Sequence, residues 1–282
     1  MAPFDPIKYK EIEREVYSRT AESYAKYGAS IFESMASPLL QEVNLKPGQK
    51  VLDVACGIGI PSLSAAEMVA PNGSVVGVDL ASGMVEMARS RAAEKGLKNV
   101  EFREADAENL PFEDRSFDVV LCHLGLIHFT DRAKALKEMG RVLKPDGDLA
   151  ISVWSTPERT RVIGIVLKCV ATFWPAAMVP GAPTWFDFGP EGALEKILMD
   201  TGFKSIKTAR FDYPLEVKDG EEYWRTNLGV SGRLQMLLKN VPQDVAKQIE
   251  AQAKAEAEKY RVGENLRIPC EFVIGWAKRQ NN

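Results

Sequence analysis

The stretch Lys50-Val51-Leu52-Asp53-Val54-Ala55-Cys56-Gly57-Ile58-Gly59, continuing Ile60-Pro61-Ser62-Leu63, decides the fold. A short apolar run holds an acid, a Gly-x-Gly turn follows, and a helix begins. That order predicts a buried parallel strand feeding a helix N-terminus, with glycines where a ligand approaches the backbone. Further on, Ser74-Val75-Val76-Gly77-Val78-Asp79 is a second apolar run ending in an acid. Together they make half of a nucleoside-binding sheet.

Working outward, the alternation continues. Val100–Arg103, Phe117–His123 and Leu149–Trp154 are expected strands. Helices are expected after Gly59, from Ser82 to Gly96, and from Asp131 to the turn Lys144-Pro145-Asp146-Gly147. Strict alternation predicts a parallel sheet with right-handed crossovers. Before it, Asp5-Pro6 starts a helix expected to close at Gly28, and Ser37–Leu45 reads as a second, short helix. Tyr17, Tyr24 and Tyr27 form either a packing stripe or the inner face of a lid. After residue 155 the rhythm breaks. Residues 156–189 are apolar, aromatic and Pro-rich, and Val162–Pro180 suits a buried or membrane-brushing cap better than a spanning helix, given Lys168 and two prolines. A helix over Gly192–Asp200, a strand over Ser205–Tyr213, mainly helix over Asp219–Arg261 and a last strand over Cys270–Lys278 complete the chain. Ala251–Lys259 is so rich in Ala, Glu and Lys that it reads as a solvated helix.

Composition sets the class. The 282 residues are 45% apolar and 27% charged, with net charge −3 and pI near 5.7. That is an ordinary globule without a basic groove for nucleic acid. Cysteines 56, 122, 169 and 270 are far apart and only two histidines, His123 and His128, are present. Neither a metal site nor a disulfide framework is expected. No basic-then-apolar leader opens the sequence, so a cytoplasmic protein is the default expectation.

The turn itself narrows the ligand. A dinucleotide fingerprint wants a third glycine where Ser62 stands. Asp53 ahead of the turn repels a pyrophosphate and suits an ammonium group. Asp79 suits a pair of ribose hydroxyls.

At this point the chain resembles a class I S-adenosylmethionine-dependent methyltransferase, nearest the ubiquinone/menaquinone-biosynthesis type. The resemblance rests on Val51–Gly59, on Gly77-Val78-Asp79-Leu80, on Ala105–Phe112 with Phe117-Asp118-Val119-Val120, and on Arg141–Gly147, in that order over roughly residues 50–155. It departs at Ala55, where many members carry Gly. It implies an α/β, doubly wound, mostly parallel seven-stranded sheet with an antiparallel last strand and helical cap insertions. The whole chain, 1–282, is then one domain, with a lid over 1–40, a cofactor core over 45–155, caps over 156–189 and 219–265, and a terminal strand over 266–282.

The resemblance also implies roles. S-adenosyl-L-methionine is the donor and S-adenosyl-L-homocysteine the product. Ala55, Gly57 and Gly59 form the turn under methionine and ribose. Asp53 orders the turn and the methionine amine, directly or through water, and Asp79 holds the ribose. Leu80 and Met84 sandwich the adenine, whose amino group donates to Asp106 while the Ala107 N–H serves a ring nitrogen. His123 ends its strand where the transferred methyl lies and, with an ordinary pKa near ~6.5, is a candidate base. Tyr24 is a second catalytic candidate. His128 either holds its loop or touches substrate.

The place where amine-directed enzymes of this fold carry Asn/Asp-Pro-Pro-aromatic reads Cys122-His123-Leu124-Gly125, which favours a small-molecule acceptor over nucleic acid or protein. Tyr24, His128, Trp174, Trp185 and Phe186 are the candidate acceptor contacts, and Arg159, Arg161 and Arg225 candidate anchors for an acidic group. The same aromatic density suits a homo-oligomer interface. A nicotinamide-dependent oxidoreductase and a non-catalytic S-adenosylmethionine-binding module remain the alternatives.

Overall fold

The computed structural model describes residues 4–177, 181–239 and 241–280. The first three residues of the expected lid, the end of the Val162–Pro180 run and the last two residues lie outside that range.

Helix α1 (Pro6–Val43) precedes strand β1 (Lys50–Val54). There follow α2 (Ser62–Val69), β2 (Ser74–Asp79), α3 (Ser82–Glu94), β3 (Val100–Glu104), β4 (Phe117–His123), α4 (Arg132–Val142) and β5 (Leu143–Trp154). The second half holds α5 (Arg161–Phe173), α6 (Ala193–Asp200), β6 (Phe203–Asp212), β7 (Leu215–Val217), α7 (Gly220–Val230), α8 (Gly232–Lys239), α9 (Gln243–Glu258), β8 (Arg261–Val262), β9 (Asn265–Ile268) and β10 (Glu271–Arg279).

The main sheet has seven strands in the order β3-β2-β1-β4-β5-β10-β6. Strand β10 runs antiparallel to both neighbours, β5 and β6. The other registered pairs are parallel. Order reverses between β1 and β4, so the crevice at the carboxyl ends of those two strands is where a ligand belongs. Both faces are covered. Val51, Leu52, Val119, Val120, Leu121 and Ile151 are fully buried, as the uninterrupted apolar runs require.

Four expectations are corrected. Gly28 does not end a helix: α1 continues unbroken past Gly28, and past Pro38, to a left-handed C-cap at Asn44. Gly28 is a packing glycine, because a Cβ there would lie 2.9 Å from both the Phe32 ring and Val230 of α7. Lys144–Gly147 lies within β5, where a register shift against β4 absorbs it. The Ala-, Glu- and Lys-rich stretch Ala251–Lys259 is solvated on most of its surface but not all round, since Ala253 and Ala257 of α9 are fully buried. A small sheet, β7-β9-β8, lies in what read as helix and loop.

The late segments build a second core. Ile165, Cys169 and Val170 of α5, Tyr223 and Trp224 of α7, Leu234 of α8, and the buried face of α9 pack with Leu215, Leu266 and Ile268. Among the described residues no helix is long and apolar enough to cross a membrane.

Candidate active site

A cavity opens at the sheet's topological switch point, between the two cores. Its lining divides by element: the ends of β1, β2 and β3 and the segments after them bring Ala55, Gly57, Asp79, Leu80, Met84 and Asp106–Glu108, here called the lower half; α1, the ends of β4 and β5 and the late segments bring Tyr24, Phe32, Met35, His123, Trp154, Ile163, Val166, Leu167, Trp185, Tyr213, Thr226, Asn227 and Val230, here called the upper half.

The floor is made by two unusual backbone positions. Ala55 and Leu124 are non-glycine residues with positive φ, 59° and 57°. Each costs about 1–2 kcal/mol in that region. The Ala55 conformation explains why glycine suits this place elsewhere in the family it resembles. Gly125 allows the two turns to meet, because a Cβ on it would lie 2.6 Å from the Ala55 Cβ and 2.8 Å from Cys122 Sγ. Gly57, at φ 52°, has open space where its Cβ would be.

Asp79 stands at the end of β2. Its Oδ2 accepts from the Gly57 N–H at 2.9 Å and its Oδ1 from the Ala81 N–H at 2.9 Å. A carboxylate keeps further lone pairs, and Asp79 lines the cavity. Burial raises its pKa, while the two N–H donors oppose the shift.

Asp53 is placed differently from expectation. It is fully buried beneath the turn and does not line the cavity. Its Oδ2 accepts from the Ser62 N–H at 3.1 Å and from Ser62 Oγ at 2.5 Å, while Oδ1 has no partner. Burial lifts its pKa to about 7 against those two bonds. It therefore holds the turn from below through Ser62. The serine that stands in place of a third glycine is its partner. Gly59 likewise supports the turn (φ 90°, with the Leu63 and Phe102 side chains 3.1–3.3 Å from its built Cβ) without lining the cavity.

Asp106 lines the cavity, but its oxygens already have partners. Oδ1 accepts from the Glu108 N–H at 2.9 Å, and Oδ2 pairs with Lys10 of α1 at 2.7 Å. Lys10 also reaches Glu108 at 2.6 Å. Glu108 in turn accepts from the Thr130 N–H and hydroxyl and from the Asp131 N–H at 2.8–3.0 Å. Three segments are thereby joined over one end of the cavity.

Helix α1 forms the roof. Lys10, Glu13, Arg14, Tyr17, Tyr24 and Ile31 share the face that lines the cavity. Tyr24 stacks on Phe32, with centroids 5.0 Å apart, and its hydroxyl pKa is raised by burial and then by Asp79. His128 Nδ1 lies 2.9 Å from Glu13 Oε2, and its ring meets Tyr17 edge-on. That bond ties the roof to the loop after β4.

His123 is buried. Its Nδ1 lies 2.7 Å from Ser152 Oγ and its Nε2 has no hydrogen-bond partner. Burial pushes its pKa down to about 4, with a smaller opposing contribution from the Phe32 backbone. It is neutral at pH 7 and a much weaker base than its ordinary value implied.

Of the expected acceptor contacts, Tyr24, His128 and Trp185 line the cavity, and Trp174 and Phe186 do not. Trp174 caps the end of α5 and packs into the second core; Phe186 packs on the first. The Trp185 face carries the buried Arg233 guanidinium, 4.0 Å from the ring centroid. Arg159 and Arg161 are committed elsewhere, to Glu271 and to the Tyr260 hydroxyl, and Arg225 does not line the cavity. Lys10, Glu13, Glu108, Ser152 and Arg233 escaped the sequence reading. For the first two a signal exists, since they repeat with Arg14 and Tyr17 at helical spacing.

The donor set fits S-adenosylmethionine: an open glycine turn, a carboxylate at the end of the second strand, and an apolar slot between Leu80, Met84 and Ala107. Among the described residues no cluster able to hold a metal ion is present.

Comparison with known proteins agrees. Residues 45–166 match the family described as a methyltransferase domain. The chain is 32% identical over 216 residues to the nocamycin O-methyltransferase of Saccharothrix syringae, covering 73% of this chain and 77% of that one. It is 31% identical over 183 residues to a demethylmenaquinone methyltransferase of Staphylococcus saprophyticus, covering 61% and 78%. In structure it resembles the YcgJ protein of Bacillus subtilis, with TM-score 0.59 at 22% identity over 87% of this chain and 98% of that one. It also resembles a phosphoethanolamine N-methyltransferase of Haemonchus contortus in complex with S-adenosyl-L-methionine, with TM-score 0.59 at 20% identity over 94% and 57%. These two likenesses concern the fold alone. With the fold, the cavity and the relatives in agreement, the chain belongs to the class I S-adenosylmethionine-dependent methyltransferases.

Proposed function

We propose that the acceptor is an apolar, ring-bearing small molecule, aromatic or quinone-like, held in the upper half of the cavity. The observation that carries this reading is the lining there. Phe32, Met35, Trp154, Ile163, Val166, Leu167, Trp185 and Val230 enclose a space whose polar groups are fewer: Tyr24, His123, Tyr213, Thr226, Asn227 and Ser231. An apolar wall with sparse polar groups favours burial of a flat hydrocarbon frame and orients it at a few points. The named substrates of the two curated relatives support a small-molecule acceptor.

S-adenosylmethionine brings a methyl group already activated on a sulfonium, so the chain's own residues chiefly bind, align and exclude water. In this reading Asp79 holds the ribose, Leu80 and Met84 flank the adenine, and the Ala107 N–H and Asp106 serve its edge. Asp53 holds the Ala55–Gly59 turn in shape through Ser62. The described residues of 1–40 act as a lid latched by Lys10 and by the Glu13–His128 bond. The described residues of 156–189 and 219–265 cap the acceptor, within one domain. Tyr24, stacked on Phe32 of the acceptor wall and within the electrostatic reach of Asp79, stands between the two ends of the cavity.

The test is transfer of labelled methyl from S-adenosylmethionine into a fractionated metabolite extract. Label is expected in an organic-extractable aromatic fraction; label confined to polar metabolites or protein refutes the acceptor class. Calorimetry with Asp79→Ala checks the donor end, where unchanged affinity for S-adenosylmethionine refutes the ribose assignment.

A further inference from the structure

We propose that Ser152 is a positioning residue that fixes His123 as its Nε2–H tautomer. His123 then presents a hydrogen-bond donor to the acceptor and takes no proton from it. The acceptor contact at this point is an oxygen with a lone pair, either a carbonyl or an ionised enol or phenol. The inference rests on the reading that the upper chamber receives the acceptor.

The argument is a count of protons. His123 and Ser152 are paired in register across β4 and β5. Ser152 is fully buried, and its Oγ has two neighbours within hydrogen-bond distance: His123 Nδ1 at 2.7 Å and the Leu124 N–H at 3.0 Å. The left-handed Leu124 backbone turns that N–H back onto Ser152, whose carbonyl shares it at 3.1 Å. A serine hydroxyl has one proton to give and two lone pairs to receive. The Leu124 N–H is a donor and nothing else, so it uses a lone pair. If Nδ1 carried a hydrogen, Oγ would accept twice and its own proton would be buried without an acceptor, an arrangement folded proteins avoid. If Nδ1 is bare, the hydroxyl donates to it and each group in the triad is satisfied. The proton of the neutral ring then sits on Nε2, which among the described residues has no hydrogen-bond partner. The neighbouring wall is apolar apart from the Phe32 backbone carbonyl, which favours a protonated ring but makes no full hydrogen bond to Nε2. An unpaired N–H in such a wall selects a ligand that brings an acceptor atom. A hydrogen bond at the second ring nitrogen commonly sets which nitrogen carries the proton, and here a neutral hydroxyl does so.

The chain has two histidines, so a histidine-labelled sample gives two imidazole patterns. His128→Gln assigns them. Long-range proton–nitrogen correlation at pH 7 is expected to show His123 with Nε2 protonated and Nδ1 bare. Ser152→Ala is expected to mix the tautomers and lower turnover about tenfold, the worth of one neutral hydrogen bond, with Ser152→Thr restoring both. A wild-type His123 protonated at Nδ1, or an unchanged tautomer in Ser152→Ala, overturns the proposal, and the wild-type spectrum decides even where a variant fails to fold. If the tautomer is as expected but His123→Ala keeps full turnover and acceptor KM, then the placement of the acceptor is wrong and the tautomer assignment stands.

Discussion

Asp53 and His123 lie on neighbouring strands, both are buried, and their pKa values are displaced in opposite senses. Asp53 is raised to about 7 and His123 lowered to about 4. Their effects on stability therefore have opposite signs. Asp53 keeps its proton in the folded state between pH ~4 and ~7 while the unfolded chain gives it up. Its contribution is fully present below pH ~4 and is lost as pH rises, at about 1.4 kcal/mol per pH unit, to a total of about 4 kcal/mol above pH ~7. His123 resists protonation in the folded state between pH ~4 and ~6.5, so over that window its contribution grows with pH at the same rate, reaching about 3 kcal/mol. Where the windows overlap, the two nearly cancel, and the wild type shows little slope from this pair. Asp53→Asn keeps an oxygen for Ser62 and removes the titration. Relative to wild type it is expected to gain about 1.4 kcal/mol per pH unit between pH 4 and 7. Its own stability should rise with pH, uncovering the histidine. His123→Gln should show the mirror image, falling with pH. Urea unfolding at half-unit steps from pH 4 to 7.5 measures both. A wild-type-to-variant difference that does not change with pH refutes the reasoning, because it means that neither group holds its displaced pKa.

Three further outcomes follow from the same geometry. Gly125→Ala is expected to cost about 1–3 kcal/mol through the contact with the Ala55 Cβ. Adding Ala55→Gly should recover about 1 kcal/mol more than the sum of the single changes, since it removes the clash as well as the left-handed strain; additive unfolding energies would show that the two turns do not press on each other. Lys10→Met should speed release of S-adenosylmethionine about fivefold in stopped-flow, the worth of about 1 kcal/mol for a partly exposed ion-pair latch; an unchanged off-rate would show that α1 is held by Glu13–His128 and packing alone. Trp185→Leu should raise the acceptor KM, while Trp174→Ala lowers stability by about 2 kcal/mol and leaves KM alone; the reverse pattern would place the acceptor on the wrong side of α5.

The two ends of this cavity differ in how far the sequence betrays them, and the reason is geometric. In a doubly wound sheet the donor site is assembled at the carboxyl ends of successive strands, so each contributing residue follows an apolar run that announces it. Asp79, Leu80 and Asp106–Ala107 are legible on those terms. Asp53 is less legible, because its spacing from the turn is the same whether it points up at a ligand or down at Ser62. The acceptor half has no such marker. It is made by residues of α1, α5 and α7, helices from opposite ends of the chain, and the types that line it are the types that fill a core. Trp174 and Trp185 look equivalent in the sequence; only the packing of α5 against α9 turns one away from the cavity. Gly28 read as a stop because the Phe32 and Val230 contacts that require a small residue there come from the fold. The polar pairs are more hidden still. Glu13 and His128 are 115 residues apart, and His123 and Ser152 meet because a register shift inside Lys144–Gly147 sets which residue of β5 faces the end of β4. A shift of one residue would send the Ser152 side chain to the opposite face of the sheet and leave Nδ1 without it. The chemistry of the acceptor end therefore hangs on a turn-like sequence that the fold has drawn into a strand.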